Sequence, residues 1–174
     1  MIMSVAEYKL LNPHDTDTDE ALEVKLQALE SAIRAYTNNN FQKRSMRFSC
    51  QIVGGKLFHS TTYIKPGDTV EISDSIFNDG VYEVLESGSS ITLNEMLEDE
   101  EFVKVTKIIY PPDVKMGVVN ILKWECENRD KLGIFSETIS RHSVTYANVD
   151  GENTIMGYPK FLFGFLTPYM KARF

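Results

Sequence analysis

Length, composition and charge already restrict what this chain can be. It has 174 residues, 43% of them hydrophobic, and 25 acidic against 18 basic residues give a net charge of -7. These values fit one substantial domain or a small core with an inserted subdomain, exclude a mainly disordered chain, and oppose the basic balance of a free-standing nucleic-acid binder.

The cysteines and the N-terminus bear on location. Cys50 and Cys126 belong to no C-x-x-C pair, so a structural zinc site is not expected, and two isolated thiols favour a reducing compartment. The first residues lack a basic leader and a sustained apolar stretch. The run from Phe161 to Leu166 is too short to span a membrane. We therefore expect synthesis in the cytoplasm and no membrane partner.

Capping signals predict two helices near the N-terminus. Ser4 and Glu7 have capping-box spacing, which predicts a short helix to about Leu11, stopped by Asn12-Pro13. A second helix is predicted to begin after residues 17–20, where Asp17 and Glu20 repeat that spacing, and to end near Thr37. Its apolar face recurs at steps of four and three, at Leu22, Leu26, Leu29, Ile33 and Tyr36.

Residues 46–109 are predicted to form an inserted β subdomain. Apolar and polar residues alternate in short runs, and Gly54-Gly55 and Asn78-Asp79-Gly80 are turn signals. Several short strands at close spacing predict a small antiparallel β-barrel or sandwich. The segments are 48–52, 57–64, 70–72, 81–84, 91–93 and 102–109, with an acidic loop at 98–101 before the last.

Residues 1–45 plus 110–174 are predicted to form a helical core, so the fold class is α+β: a small helical bundle with an inserted β subdomain. Pro111-Pro112-Asp113 opens a helix with a plausible cap at Gly133, and residues 136–146 form an extended arm or hairpin. A last helix is predicted from Pro159. Its apolar stripe is Leu162, Phe165, Leu166, Tyr169 and Met170.

The C-terminus combines aromatic and basic residues. Phe163 and Phe174 fall off the predicted apolar stripe, and aromatic residues outside a core face suggest contact with another protein. Lys171 and Arg173 accompany them. The result is a basic aromatic tail suited to an acidic partner.

Charge is segregated along the chain. Residues 41–65 carry 5 basic residues and no acid, whereas residues 66–103 carry 11 acids and no base. Such runs are ordinarily solvated faces. The alternative is that the two surfaces meet between copies of the protein.

Motifs for catalysis or metal binding are weak. Asp15, Asp17 and Asp19 beside His14 look like the start of a calcium loop, but the glycine and final carboxylate of such a loop are missing, so helix capping explains the acids better. No serine or cysteine nucleophile motif and no phosphate loop is present. We expect no catalytic, cofactor-binding or metal residues and a protein that is not an enzyme.

The order of these segments resembles the head–tail connector (adaptor, or head completion) proteins of long-tailed bacteriophages. The resemblance covers most of the chain and depends on several segments together. They are the helix from Leu22 to Tyr36, residues 110–115, residues 136–146 and residues 166–174, while 67–70 and 78–82 are similar to small β-barrels of phage structural proteins.

This resemblance implies a virion protein that assembles as a ring, typically a dodecamer, and is monomeric in some cases until it meets the portal. The ring joins the portal protein to a tail-side stopper or connector protein, and DNA passes through its channel without sequence-specific binding. The implied portal-binding residues are Phe165, Tyr169, Lys171, Arg173 and Phe174. The residues implied at the channel or between subunits are Glu137, Arg141, His142, Thr145 and Tyr146.

Two other functions compete with this interpretation. A small-ligand or carbohydrate-binding module on the β subdomain would need a concave aromatic pocket there. A metal-dependent hydrolase would use Asp15, Asp17, Asp19 and His14.

Overall fold

The computed structural model describes residues 1–128 and 153–172, together with the backbone of residues 136–139 and 142–145. Within this part of the chain it is a mixed α/β fold with four helices and a closed six-stranded antiparallel β-barrel. Contacts within the chain divide it into two compact units. The barrel unit comprises Met1 and Asn39–Tyr110, and the helical unit comprises Ile2–Asn38 and Pro111–Phe174.

The described elements have the following bounds. The helical unit contains α1 (Val5–Leu11), α2 (Asp19–Thr37), α3 (Pro112–Asn128) and a C-terminal 3₁₀ helix (Lys160–Tyr169). It also contains two hairpins, made by β7 (Ser136–Ile139) with β8 (His142–Thr145) and by β9 (Thr154–Ile155) with β10 (Tyr158–Pro159). The barrel strands are β1 (Gln42–Val53), β2 (Lys56–Phe58), β3 (Thr69–Ser73), β4 (Gly80–Ser87), β5 (Ile91–Leu93) and β6 (Glu100–Ile108).

The capping signal at Ser4 is confirmed for α1, whereas α2 begins at Asp19 with Thr18 as its N-cap, and the predicted Asp17–Glu20 capping box is wrong. The Ser4 hydroxyl accepts a hydrogen bond from the Glu7 N–H at 3.1 Å, satisfying an otherwise unpaired donor at the start of α1. At α2 the N-cap is Thr18, whose hydroxyl accepts from the Ala21 N–H at 3.3 Å. The predicted apolar face is confirmed at Leu22, Leu26, Leu29 and Ile33, which are buried, and Tyr36 is half-buried.

The barrel closes because β1 pairs with β2 along part of its length and with β6 along most of it, in the order β1-β2-β5-β4-β3-β6. Gly54 and Gly55, with φ of 59° and 74°, make the tight β1–β2 turn that the glycine pair predicts. Inward-facing and outward-facing positions alternate along the strands, and the buried inward-facing side chains are aliphatic. The interior consists of Ile52, Leu57, Ile64, Val70, Ile72, Val84, Ile91, Leu93, Leu97, Val103 and Val105.

Several strand boundaries differ from the prediction, including the end of β4, which lies at Ser87 and not at residue 84. β1 begins at Gln42, before residue 46, because a bulge in its first half hides the alternation. β2 ends at Phe58, although Ile64 still reaches the core from the following segment. The predicted acidic loop is shorter than expected, because Glu100 and Glu101 already belong to β6.

The last helix is a 3₁₀ helix, which corrects the predicted apolar stripe. Its period of three residues per turn buries Phe163 and Leu166, which lie three positions apart. Phe163 is therefore a core residue, and the prediction that it lies off the apolar face is wrong. Met170, predicted on that face, lies beyond the helix and is 51% exposed. Gly133, the predicted cap of the preceding helix, lies outside the described residues.

Candidate partner-binding surface

The C-terminal 3₁₀ helix is seated on α3 through Phe165 and Gly117. A methyl group at position 117 would lie 2.3 Å from two carbon atoms of the Phe165 ring, so only glycine leaves room for that ring. Phe165 is half-buried as a result. This contact holds the 3₁₀ helix against α3 within the helical unit.

Tyr169 provides a second attachment to α3. Its hydroxyl lies 2.8 Å and 2.7 Å from the two carboxylate oxygens of Asp113, to which it donates, in the first turn of α3. The hydrogen bond to this carboxylate raises the pKa of Tyr169 above its usual value, because the neutral phenol is the donor. Phe165 and Tyr169 therefore both contact the chain's own α3.

The segment after the 3₁₀ helix is attached through its backbone. The Lys171 N–H donates to the Thr37 carbonyl at 2.8 Å, and the Asn38 side-chain amide donates to the Ala172 carbonyl at 2.9 Å. Thr37 is the last residue of α2, where carbonyls lack a partner within the helix. The Lys171 side chain is left exposed, while Arg173 and Phe174 lie outside the described residues.

Two apolar side chains of this region are exposed beside basic ones. Phe161 is 70% exposed, and Met170 is also largely in solvent. Lys160 and Lys171 are exposed too. We name Met170 and Lys171, which directly follow the 3₁₀ helix, the C-terminal surface. The sequence prediction missed Phe161 and Met170, because it assumed α-helical periodicity for the segment.

An aromatic cluster lies under the 3₁₀ helix. Phe163 packs against Tyr36 and Tyr158, with ring centroids 6.2 Å and 6.3 Å away, and Tyr158 packs edge-on against Trp124 at 6.2 Å. The Tyr158 hydroxyl donates to Glu125 at 2.6 Å. Burial and this carboxylate both raise the pKa of Tyr158. These contacts pack the 3₁₀ helix, which precedes the C-terminal surface, against other segments of the helical unit.

Lys25 of α2 contacts two carboxylates, one in α3 and one in the segment before α2. Its ammonium contacts Glu125 and lies 2.8 Å from Asp17. Burial alone would lower the pKa of Lys25, but the hydrogen bonds that Lys25 donates to Asp17 and Glu125 outweigh burial and raise the pKa. Glu125 thus connects Lys25 and Tyr158 in one polar network.

The predicted arm residues are described only in part. Strands β7 and β8 pair antiparallel, with Ser136 opposite Thr145 and Ile139 opposite His142. Glu137 lies on β7, and His142 and Thr145 lie on β8. Arg141 and Tyr146 lie outside the described residues.

The acidic residues of the hydrolase hypothesis have other partners. Asp15 accepts from the buried Tyr8 hydroxyl, Asp17 pairs with Lys25, and Asp19 pairs with Lys9. Among the described residues, no group of three or more histidine, cysteine or acidic side chains is arranged to hold a metal ion. These carboxylates stabilise the helical unit.

One groove and one cysteine of the barrel bear on small-ligand binding and on thiol chemistry. A groove of about 320 Å³ lies at one end, lined by aliphatic, amide and acidic residues: Gln51, Ile52, Val53, Asp99, Glu100 and Glu101. It lacks the aromatic lining that the carbohydrate-binding hypothesis requires. Burial raises the pKa of Cys50 to about 11, the opposite of what activates a thiol nucleophile.

The chain was compared with known proteins. No protein-family model matches it, and a search of curated proteins finds no significant match. In the part of the chain that the structure describes, no helix combines the length and apolar character needed to cross a membrane.

Proposed function

We propose that the protein is a non-enzymatic virion component, a phage head–tail adaptor whose copies form a ring under the portal. In this proposal the ring joins the capsid to the tail-side connector, and DNA passes through it. The helices form the connector's bundle, and residues 136–146 form an arm toward the channel or a neighbouring subunit. The C-terminal surface docks on the portal.

The observation that carries this proposal is the way the C-terminal surface is presented. Hydrogen bonds from Lys171 and Asn38 hold the backbone against the end of α2, while the side chains of Lys171 and Met170 face solvent. A positioned segment with exposed apolar and basic side chains loses little conformational entropy when a partner binds. An acidic, partly apolar portal surface would complement it.

The negative charge is compatible with a DNA passage. The net charge is -7, and an acidic wall repels phosphates, whereas a basic wall retains DNA. We expect the assembled ring to show no tight, salt-sensitive retention of DNA. Such retention would contradict the passive channel.

The experiment is a binding measurement between the purified chain and the portal protein of the same phage. We expect Lys171→Glu to weaken binding at least about tenfold, since it reverses a charge at the docking surface. The backbone hydrogen bond to Thr37 survives the substitution. Lys123→Glu is the matched control, because Lys123 is an exposed lysine of the same unit whose only described pairing is a long contact with Glu127.

The comparison requires that both variants have the same fold and thermal stability as the wild type. Their circular dichroism and thermal unfolding should match those of the wild type. If Lys171→Glu binds the portal as tightly as Lys123→Glu does, the C-terminal surface is not the docking site. If the wild type does not bind the portal at all, the adaptor function is wrong.

A further inference from the structure

Three loops of the barrel meet at one end. β1 runs antiparallel to β6, and β3 also runs antiparallel to β6, so the end of β1, the end of β3 and the start of β6 lie together. The β1–β2 turn, the β3–β4 loop and the β5–β6 segment are therefore neighbours. We name this end the barrel tip, comprising residues 53–55, 74–79 and 94–101.

The barrel tip exposes large apolar side chains on a fixed frame. Ile76 is 81% exposed, Phe77 70% and Met96 92%. The loop that carries Ile76 and Phe77 is held by Glu100, which accepts from the Ile76 N–H at 2.7 Å and from the Asn78 amide at 2.6 Å. Asn78 is buried, and its side-chain amide donates to the Glu98 carbonyl and accepts from the Glu98 N–H. Apolar groups held outward in this way indicate a contact surface.

An acidic groove lies at the edge of the barrel tip. This groove, lined on one side by Asp99, Glu100 and Glu101, is open to solvent. Among the described residues, the Glu98 and Glu101 carboxylates make no ion pair or side-chain hydrogen bond, and both residues are exposed. Carboxylates around apolar side chains favour a partner that brings guanidinium or ammonium groups on extended stems.

The complementary surface lies at the opposite end of the same strand pair. Gln42 pairs with Ile108 and Arg47 with Thr106, so residues 43–46 of β1 stand opposite one residue of β6 and form a bulge. We name residues 43–46 the basic bulge. Lys43 and Arg44 are exposed there, and in the described chain neither side chain has a hydrogen-bond or ion-pair partner.

One copy cannot bring these two surfaces together. The β6 residues beside them, Glu100 and Ile108, are eight positions apart, or about 25 Å along an extended strand. Two different surfaces at opposite ends can be satisfied only by two further copies, one at each end. Repetition of such a head-to-tail contact gives a closed ring or a filament.

We propose that the barrel tip of one copy docks on the basic bulge of the next copy. Lys43 and Arg44 enter the acidic groove, and Ile76, Phe77 and Met96 pack against the apolar stems of these side chains and the β1 surface beside them. The contact deepens the proposed function, on which it rests for its biological role, by naming the surfaces that join ring subunits. The partner is a second copy because the basic bulge, which every copy carries, supplies the positive charge that complements the acidic barrel tip.

The test is a charge swap in the full-length chain, read by sedimentation velocity at low ionic strength. The tip variant carries Glu98→Lys and Glu101→Lys, and the bulge variant carries Lys43→Glu and Arg44→Glu. We expect the wild type to associate beyond the monomer, each variant alone to remain monomeric, and their equimolar mixture to associate again. In the mixture every contact joins an acidic to a basic surface. Added salt should reverse the association, since the contact surfaces are solvent-exposed in the free chain.

Several outcomes would overturn the contact. A wild type that stays monomeric, variants that associate as the wild type does, or a mixture that stays monomeric would each do so. A separate variant, Phe77→Ser, keeps all charges and should weaken association at least about tenfold if the apolar side chains contribute. Association unchanged by Phe77→Ser would remove the apolar part of the contact.

Folding and the adaptor function are read separately. The four charged side chains have no partner within the described chain, so the swapped variants should keep the wild-type circular dichroism spectrum. Portal binding by Lys171→Glu reports on the C-terminal surface alone. A failed portal experiment therefore ends the adaptor proposal without touching the charge swap, and a failed charge swap leaves portal binding to be judged by itself.

Discussion

The barrel unit and the helical unit achieve their stability by different contacts. The core of the barrel is built from aliphatic side chains of short strands. The helical unit also has half-buried polar groups that link segments far apart in the chain, such as Lys25 with Glu125 and Tyr158 with Glu125. Both units bury aliphatic side chains, so both should respond to volume changes, whereas the helical unit should in addition respond to pH and to the loss of single hydrogen-bonding groups.

The largest expected effect is a cavity in the barrel. Ile72 is fully buried, so Ile72→Ala should lower the free energy of unfolding of the barrel by about 2–5 kcal/mol. Ile76→Ala, at an exposed loop position, should stay within about 0.5 kcal/mol. Denaturant-dependent hydrogen exchange resolved by segment measures both. Equal losses for the two variants would break the distinction between core and tip.

The next effect is steric and belongs to the helical unit. Gly117→Ala places a methyl group against the Phe165 ring and should cost about 1–3 kcal/mol, despite the better helix propensity of alanine. Gly164→Ala is the control, since a methyl group there meets no other atom within 4 Å.

The double variant sharpens the Gly117 prediction. Truncation of the ring in Phe165→Ala should make Gly117→Ala harmless, so the two changes should be strongly non-additive in thermal or chemical unfolding. Additive losses would mean that Phe165 does not occupy the space beside position 117.

A smaller effect depends on pH. Tyr158→Phe removes the hydrogen bond to Glu125 and should cost about 1 kcal/mol near neutral pH. Because the pKa of Tyr158 is higher in the folded than in the unfolded state, its contribution is fully present below the ordinary tyrosine pKa of about 10 and is lost as pH rises toward the folded value. The stability difference between wild type and Tyr158→Phe should therefore shrink in alkaline solution. A difference that grows with pH would contradict this network.

The smallest effect is expected at the barrel tip. Glu98→Lys with Glu101→Lys should change the free energy of unfolding by less than about 0.5 kcal/mol, because neither side chain has a partner within the described chain. Equilibrium urea unfolding of the wild type and the double variant measures this. A larger loss would assign the tip carboxylates a structural role and weaken their use as a contact surface.

Local signals predicted much of the fold. Ser4 before α1 and the spacing of Leu22, Leu26 and Ile33 in α2 act within one or two helical turns, so sequence alone reveals them. Strand alternation and the Gly54-Gly55 turn predicted a small antiparallel barrel or sandwich in the same way, and the structure shows the barrel. The bulge in β1 and the start of β6 were not predicted, because both depend on which residues pair across the sheet.

The C-terminal region shows why sequence reasoning reached only part of the candidate site. The basic aromatic tail was visible, but its α-helical stripe was wrong because a 3₁₀ helix has a different period. The contact between Asn38 and Ala172 joins residues 134 positions apart, and no local pattern announces it. The exposed Phe161 and Met170 emerge only once these attachments are known.

The most direct test of the adaptor proposal is electron microscopy of the chain mixed with the portal protein of its phage. The proposal predicts a ring of added density beneath the portal, with the C-terminal surface at the contact and an open central passage. Portal particles that look the same with and without the chain would contradict it, as would virions that assemble and infect normally when the chain is absent.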